Sequence, residues 1–285
     1  MTTPGKKISV FLLLTFALSS IFYFLILSSG SLHRFSFGLM WCPGIAAILT
    51  QLIFQHNLRD MGWKAGKLKY WLWGYGLPVL YGAVVYGIVW FTGLGKFAPY
   101  ERILQTTEQL NIELRSPAVT LALYVVINAT LGVAINMTSA LGEEIGWRGF
   151  FVPELSRKYS FTGIALISGA IWTIWHAPVI LFSDYNNPGV PIWFSLACFT
   201  LLVIGSSFAY AWLRLKSGSV WPAVVLHGSH NLFIQAIFTP FTGDTGPTPY
   251  VIDEFGLGLA LVGLVIAYIF WRKRTELSPL AIASN

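Results

Sequence analysis

The sequence predicts an all-α fold, a polytopic membrane helix bundle with about eight transmembrane helices. Of its 285 residues, 55% are hydrophobic and only 11% are charged, whereas about a quarter of a soluble domain is charged. The apolar residues form runs of about twenty, the length of helix that crosses a bilayer. The twelve Trp residues suit positions where rings anchor helix ends at the headgroup level. The net charge of +6 comes from basic residues that flank these runs, which is typical of membrane loops and predicts no nucleic-acid partner.

Each predicted span is an apolar stretch of this length. The eight stretches are Ile8–Ser28, Phe35–Gln55, Tyr70–Phe91, Ala118–Leu141, Gly163–Phe182, Ile192–Trp212, Val220–Phe238 and Phe255–Trp271. The first is too long for a signal-peptide core and is kept as a span. The fourth is expected to continue through Glu143 and Arg148 to a stop near Pro153. Together they predict a single membrane domain over residues 1–285, with a motif-bearing core at about 118–240.

The connection Ala98–Pro117 is polar, with Ile and Leu residues at intervals. This pattern fits an interfacial helix and a plain connecting loop equally well. The hydrophobic residues in question are Ile103, Leu104, Leu110 and Leu114.

The distribution of Lys and Arg predicts that both termini face the cytoplasm, because basic residues collect on that side of a membrane protein. Thirteen flank one set of span ends: Lys6, Lys7, Arg59, Lys64, Lys67, Lys69, Arg157, Lys158, Arg214, Lys216, Arg272, Lys273 and Arg274. The other set holds Arg34, Lys96, Arg102 and Arg115. The protein is therefore expected to be integral to the membrane, in the cytoplasmic membrane of a prokaryote.

Two adjacent carboxylates, Glu143 and Glu144, lie inside the extended fourth span, where an ionisable group is costly and usually functional. Successive helix residues point about 100° apart, so the two acids serve different roles. Glu144 and Arg148 are four residues apart and are expected to form an ion pair. Glu143 has no cation in its own helix and suits a general base. Gly142 and Gly146 would allow a second helix to approach this segment closely.

Further polar groups occur in two later spans. His176 lies within the fifth, where a histidine is by itself more often a packing residue than a catalyst. His227 and Asn231 share a face of the seventh, with His230 at the edge of that face. With both histidines drawn toward Glu143, the set offers a base for water and donors for the oxyanion formed at an attacked carbonyl.

A zinc site is an alternative, with Glu143, His176 and His227 as ligands and Asn231 on the substrate. The residue types leave both mechanisms open, so the cofactor is either Zn²⁺ or none. The sequence contains no His-Glu-x-x-His zinc motif, nucleophile elbow or Walker loop.

The order Glu143-Glu144-x-x-x-Arg148, then Trp172 ahead of His176, then His227-x-x-x-Asn231 resembles the signature of the CPBP family, which comprises CAAX-protease and bacteriocin-processing intramembrane peptidases. The resemblance covers residues 140–235. One departure is Trp172, where the family usually has Phe.

The resemblance implies an eight-helix peptidase with a cavity that reaches the cytoplasmic side. Glu143 would activate water beside His176, and His227 and Asn231 would stabilise the oxyanion. Glu144 and Arg148 would support the site. The substrate would be a membrane-associated peptide or lipidated protein, of the prenylated CAAX or bacteriocin type.

Two other functions fit a membrane bundle. A non-catalytic scaffold or bacteriocin immunity factor of the same fold would need none of Glu143, His176, His227 and Asn231. A transporter could use buried Glu and His as a proton relay, but no two-half repeat is visible in the sequence. The leading hypothesis is therefore an intramembrane endopeptidase.

Overall fold

The computed structural model describes residues 3–110 and 116–278, without the side chains of residues 102, 105, 106 and 108–110. Most of the described chain is helical, as predicted. The helices are α1 (Pro4–Ser29), α2 (Leu32–Gln55), α3 (Leu68–Thr92), α4 (Pro99–Leu110), α5 (Pro117–Ile127), α6 (Val133–Glu144), α7 (Val152–Ser156), α8 (Phe161–Phe182), α9 (Ile192–Ser217), α10 (Trp221–His230) and α11 (Leu257–Arg272).

Three π-helical stretches continue some of these helices without a break. Asn128–Gly132 joins α5 to α6, and Ile145–Phe151 joins α6 to α7. The result is one helix of 40 residues, Pro117–Ser156, so the predicted continuation past Glu143 is confirmed. The third stretch, Asn231–Phe238, follows α10. A π turn is rare and often marks a functional site.

Helix occupies all eight predicted spans, but only six helices in the described chain are long and apolar enough to cross a membrane. The two that fall short are α10 with its π-helical continuation, and α11. The prediction of about eight spans is therefore approximate. Large apolar side chains point outward from the bundle, among them Leu13, Phe24 and Phe91 at 71%, 72% and 94% exposure. A surface of this kind requires lipid around it.

The connection after α3 contains helix α4, which agrees with the helical interpretation of Ala98–Pro117. Ile103 is buried and Leu104 is half exposed. Leu114 and the side chain of Leu110 lie outside the described residues. Beside α4, a two-stranded antiparallel sheet pairs β1 (Lys96–Phe97) with β2 (Thr242–Gly243).

Helix α2 packs directly on the backbone of the segment that carries the two acids. A Cβ on Gly44 would lie 2.4 Å from the carbonyl oxygen of Gly142, and one on Gly146 would lie 2.5 Å from the Cβ of Pro43. Only glycine permits such an approach. The close approach predicted for Gly142 and Gly146 is thus confirmed, and it fixes the acid-bearing helix against α2.

Candidate active site

Glu143 lies inside the bundle with 1% of its surface exposed. Its Oε2 accepts hydrogen bonds from two indole N–H groups, that of Trp172 at 2.7 Å and that of Trp147 at 3.4 Å. Both donors are neutral, so the carboxylate is oriented without being neutralised by a cation. A carboxylate held in this way can accept a proton from water.

Glu144, the adjacent acid, has a different set of partners. Its Oε1 accepts from Arg148 Nη1 at 3.0 Å, as the four-residue spacing predicts, and also from His227 Nδ1 at 3.0 Å. The Arg148 guanidinium lies between two aromatic rings, 4.2 Å from the centroid of Trp172 and 4.0 Å from that of Tyr210. Glu144 and Arg148 thus form a buried ion pair, and Glu144 also holds His227 in position.

His176 and His227 are each held at Nδ1. In His176, Nδ1 lies 2.9 Å from the carbonyl oxygen of Trp172; in His227 it lies against the Glu144 carboxylate. Both partners are acceptors, so Nδ1 carries a proton in each ring and Nε2 is left for other partners. Both histidines line one cavity with Glu143, and the Nδ1 hydrogen bond of His227 goes to Glu144. Tryptophan supplies the donors to Glu143 instead.

Asn231 is the first residue of the π-helical stretch after α10. Its side chain is half-buried and makes no hydrogen bond within the described part of the chain. An amide in this state has both N–H donors free for a ligand. His227 lies one turn earlier on the same helix, as the spacing predicts.

One cavity of about 650 Å³ brings these groups together. Glu143, His176, His227 and Asn231 all line it, whereas Glu144 and Arg148 do not. Much of the remaining wall is apolar. The apolar lining includes Leu39, Leu77, Val179, Phe199, Leu202, Val203, Leu226 and Ile266. A cavity of this size with a few converging polar groups is typical of a ligand site.

Sequence reasoning missed a second polar cluster on the same cavity. His230 Nε2 lies 2.7 Å from Glu254 Oε1, and the Tyr185 hydroxyl donates to Glu254 Oε2 at 2.7 Å. Tyr81 contacts the other ring nitrogen of His230. Burial favours a raised pKa for Glu254, but the hydrogen bond and charge of His230 outweigh it and lower that pKa to about 2. The only signal in the sequence is the position of Glu254 directly ahead of the last predicted span. A carboxylate at the end of a span is common in membrane proteins and does not by itself indicate a site.

The described residues do not fit a zinc site. No three His, Cys, Asp or Glu side chains among them lie close enough together to hold a metal ion. Glu143, His176 and His227 line one cavity without forming such a group.

The bundle and its internal polar cavity define an integral membrane protein whose site lies among the helices. Residues 118–233 match the family model described as type II CAAX prenyl endopeptidase Rce1-like. The chain is 30% identical over 136 residues to CAAX prenyl protease 2 of Methanococcus maripaludis, an alignment that covers 46% of this chain and 47% of that relative. The chain thus spans about half the length of the curated relative that it matches. The resemblance to the CPBP family is confirmed over residues 118–233, which are similar to its Rce1-like, CAAX-protease members.

Proposed function

We propose that the protein is an intramembrane endopeptidase in which Glu143 activates water against a peptide bond. The observation that carries the proposal is the position of Glu143. Its carboxylate is buried, held only by the neutral N–H groups of Trp147 and Trp172, and lines a cavity together with His176, His227 and Asn231. A purely structural carboxylate in a membrane bundle would be expected to have a cationic partner, as Glu144 does.

The attack begins with a water between Glu143 and His176. Glu143 removes one proton from the water as the water oxygen bonds to the carbonyl carbon of the substrate. His176 Nε2 accepts a hydrogen bond from the other O–H of the water and so orients it. The carbonyl oxygen becomes an oxyanion. The Asn231 amide donates to it, and His227 Nε2 donates to it when both ring nitrogens of His227 carry protons.

Collapse of this intermediate completes the hydrolysis. The carbon–nitrogen bond breaks as Glu143 returns its proton to the departing amine nitrogen. The products are a carboxylic acid and an amine, and Glu143 is again a carboxylate. The side chains of the cavity provide every proton transfer in this sequence.

The substrate is a peptide bound to the membrane, either prenylated at a CAAX terminus or of the bacteriocin type. The apolar residues of the cavity wall are suited to bind a lipidated or hydrophobic segment of the substrate. The relative from Methanococcus maripaludis is named a CAAX prenyl protease, which favours the prenylated type. The lipid bilayer surrounds the enzyme and presents the substrate to it.

The test is cleavage by the purified protein in liposomes. Farnesylated CAAX peptides, the same peptides without the farnesyl group, and hydrophobic leader peptides are incubated with it, and the products are identified by mass spectrometry. We expect one class to be cut at a single bond. Folded protein that cuts none of them would instead favour the scaffold or immunity role.

A chelator arm of the same experiment addresses the metal. Hydrolysis through Glu143 and water alone continues after the protein is stripped with a chelator and dialysed. Loss of activity that returns with added Zn²⁺ would instead support the metal-dependent alternative.

A further inference from the structure

The connection 239–256, which leads into α11, is held against the bundle by side chains from other elements. Asn187, from the connection after α8, is buried and donates to the Pro249 carbonyl at 2.7 Å. The backbone N–H of Asp253 donates to the Tyr86 hydroxyl of α3 at 3.1 Å. The part of the connection just before α11 therefore has a defined position, and the carboxylate that follows Asp253 lies in the cavity wall.

Glu254 is that carboxylate, and it joins two further elements of the fold. It is only 6% exposed. The Tyr185 hydroxyl, from the connection after α8, donates to its Oε2, and His230 Nε2, at the end of α10, donates to its Oε1. Both partners are donors, so each needs an acceptor. A carboxylate supplies two acceptor oxygens, whereas the amide of a glutamine would supply only one.

The Tyr185 ring links this carboxylate to one of the proposed catalytic groups. It lies against the His176 imidazole, with the two ring planes 28° apart and the centroids 6.3 Å apart. The Phe199 ring packs on another side of the imidazole, with a centroid distance of 5.0 Å. Since His176 Nδ1 is bound to a carbonyl of its own helix, these neighbouring rings limit how far the imidazole can turn. Holding the Tyr185 hydroxyl on Glu254 therefore fixes a wall against which His176 lies.

His230 links the same carboxylate to a second proposed group. Its Nε2 is bound to Glu254 and its Nδ1 to the Tyr81 hydroxyl of α3, so the imidazole is held at both nitrogens. The next residue, Asn231, begins the π-helical stretch, and its amide is the proposed donor to the oxyanion. Fixing the side chain of His230 restricts the helical turn from which Asn231 projects.

We propose that Glu254 is a positioning residue of the peptidase site. It orients His176 through Tyr185, and it orients Asn231 through His230. Both of its oxygens are occupied by these partners, so it acts through them and not on the substrate. This deepens the proposed function and rests on it.

Kinetics of Glu254→Gln test the proposal on a peptide that the wild type cuts. The amide can accept from only one of Tyr185 and His230, so we expect kcat to fall by about tenfold to a hundredfold, with KM nearly unchanged. The matched control is Asp253→Asn, a change of the adjacent carboxylate, which does not line the cavity. Its amide oxygen can still accept from the backbone N–H of Glu254, as the carboxylate does at 2.7 Å, and kcat should stay at the wild-type value.

Tyr185→Phe tests one of the two links by itself. It keeps the ring beside His176 and removes only the hydroxyl that Glu254 holds, so kcat should fall by less than in Glu254→Gln. In the double variant the loss should be smaller than the product of the two single losses, because both changes break the same hydrogen bond. Independent losses, an unchanged kcat in folded Glu254→Gln, or a rise in KM alone would overturn the proposal. If Glu254→Gln does not fold, an unchanged kcat in Tyr185→Phe overturns it.

A spectroscopic measurement follows the His176 ring without any use of catalysis. Protein with isotope-labelled histidine is studied by nuclear magnetic resonance in detergent, and the His176 signal is assigned by its loss in His176→Gln. We expect this signal to move in Glu254→Gln and also in Tyr185→Phe, which changes no charge, but not in Asp253→Asn.

The two measurements separate failure of this proposal from failure of the proposed function. A His176 signal that stays in place in both Glu254→Gln and Tyr185→Phe would overturn the positioning role, whether or not the protein cleaves peptides. A wild-type protein that cuts no peptide while its His176 signal responds to both changes would contradict the peptidase assignment and support the link from Glu254 to His176.

Discussion

The indole N–H of Trp172 donates to Glu143 Oε2 at 2.7 Å, while the backbone carbonyl of the same residue accepts from His176 Nδ1 at 2.9 Å. Trp172 thereby orients two of the proposed catalytic groups at once. Its ring also covers Arg148 at 4.2 Å, so it separates the base from the buried ion pair. The Glu143 carboxylate and the His176 imidazole are therefore held in fixed orientations in the cavity. Such fixed orientation lowers the barrier to proton transfer.

Glu143→Gln should abolish hydrolysis while the protein still folds. The amide keeps the shape of the side chain and can still accept from Trp172, but it cannot take a proton from water at neutral pH. We expect a loss of about a hundredfold or more in kcat. Turnover is measured beside Glu101→Gln, a change of an exposed carboxylate in α4 that should leave activity intact. Full activity in Glu143→Gln would contradict the assignment.

Glu144→Gln should instead lower stability. It removes the charge that pairs with Arg148 at 3.0 Å, and breaking one partner of a buried pair costs about 3–5 kcal/mol. The matched control is Glu276→Gln, whose partner Lys273 also lies at 3.0 Å but with side chains 43% and 30% exposed. That change should cost less than about 1 kcal/mol. Thermal unfolding in detergent compares them, and equal shifts would show that the Glu144 pair is not a stabilising element.

Asn231→Ala should reduce kcat and leave KM nearly unchanged. A donor that meets the oxyanion stabilises the transition state more than bound substrate, and its removal typically costs about 2.7–4 kcal/mol. Steady-state kinetics measure the effect beside Asn57→Ala, a change at an exposed position between α2 and α3. A rise in KM alone would make Asn231 a substrate-positioning residue.

Metal analysis of His227→Ala and Asn231→Ala separates the two mechanisms proposed from the sequence. Under the zinc alternative His227→Ala loses bound metal, whereas Asn231→Ala retains it. Under the mechanism proposed here, the metal content of both variants equals that of the wild type.

Gly44→Ala should destabilise the bundle at the contact between α2 and α6. Its Cβ would lie 2.4 Å from the backbone oxygen of Gly142, and overpacking of this kind costs about 1–3 kcal/mol. Gly76→Ala in α3 is the control, because a Cβ there meets nothing within 4 Å. It should be neutral or slightly stabilising. Unfolding temperatures of the two variants in detergent test the contact, and a neutral Gly44→Ala would refute it.

Asp253→Asn should stabilise the protein at pH 7 but not at pH 4. Burial and the adjacent Glu254 charge raise the pKa of Asp253 from 3.8 to about 6. The folded state therefore holds this proton more tightly than the unfolded chain, and ionisation of Asp253 costs stability from pH 3.8 upward, in full above pH 6. Asn removes that cost, of about 1–3 kcal/mol, and tolerates the φ of 65° at this position.

Unfolding temperatures across this pH range give the measurement. The difference between Asp253→Asn and the wild type should grow from pH 4 to pH 7 and then level off. A difference that stays constant with pH would mean that the ionisation of Asp253 does not oppose folding.

Much of the architecture follows from local sequence. Runs of about twenty apolar residues predict where helices lie, because a segment in lipid must satisfy its backbone hydrogen bonds internally, as a helix does. The pairing of Glu144 with Arg148 is also predictable, because residues four apart on one helix lie on the same face. The contact of Glu144 with His227 joins residues 83 positions apart. Helix periodicity assigns each residue to a face of its own helix but does not predict that the two faces meet.

The parts that sequence reasoning missed depend on tertiary packing. Tyr185 and Glu254 lie 69 positions apart in two connections, and nothing local shows that these connections fold against the cavity. The donors to Glu143 were missed because a tryptophan in an apolar run looks like a packing residue.

The π-helical stretch that begins at Asn231 has a consequence for how this chain tolerates changes of length. A π turn holds one residue more than an α turn, because its hydrogen bonds span five residues instead of four. Deleting one residue between Leu232 and Phe238 would convert the π turn into an α turn and leave His227 and Asn231 in place. The far half of the helix, where Phe238 packs against Gly82 of α3, would keep its orientation. Natural variants should therefore tolerate the loss of one residue in this segment more readily than in the regular α-helical turn that carries His227.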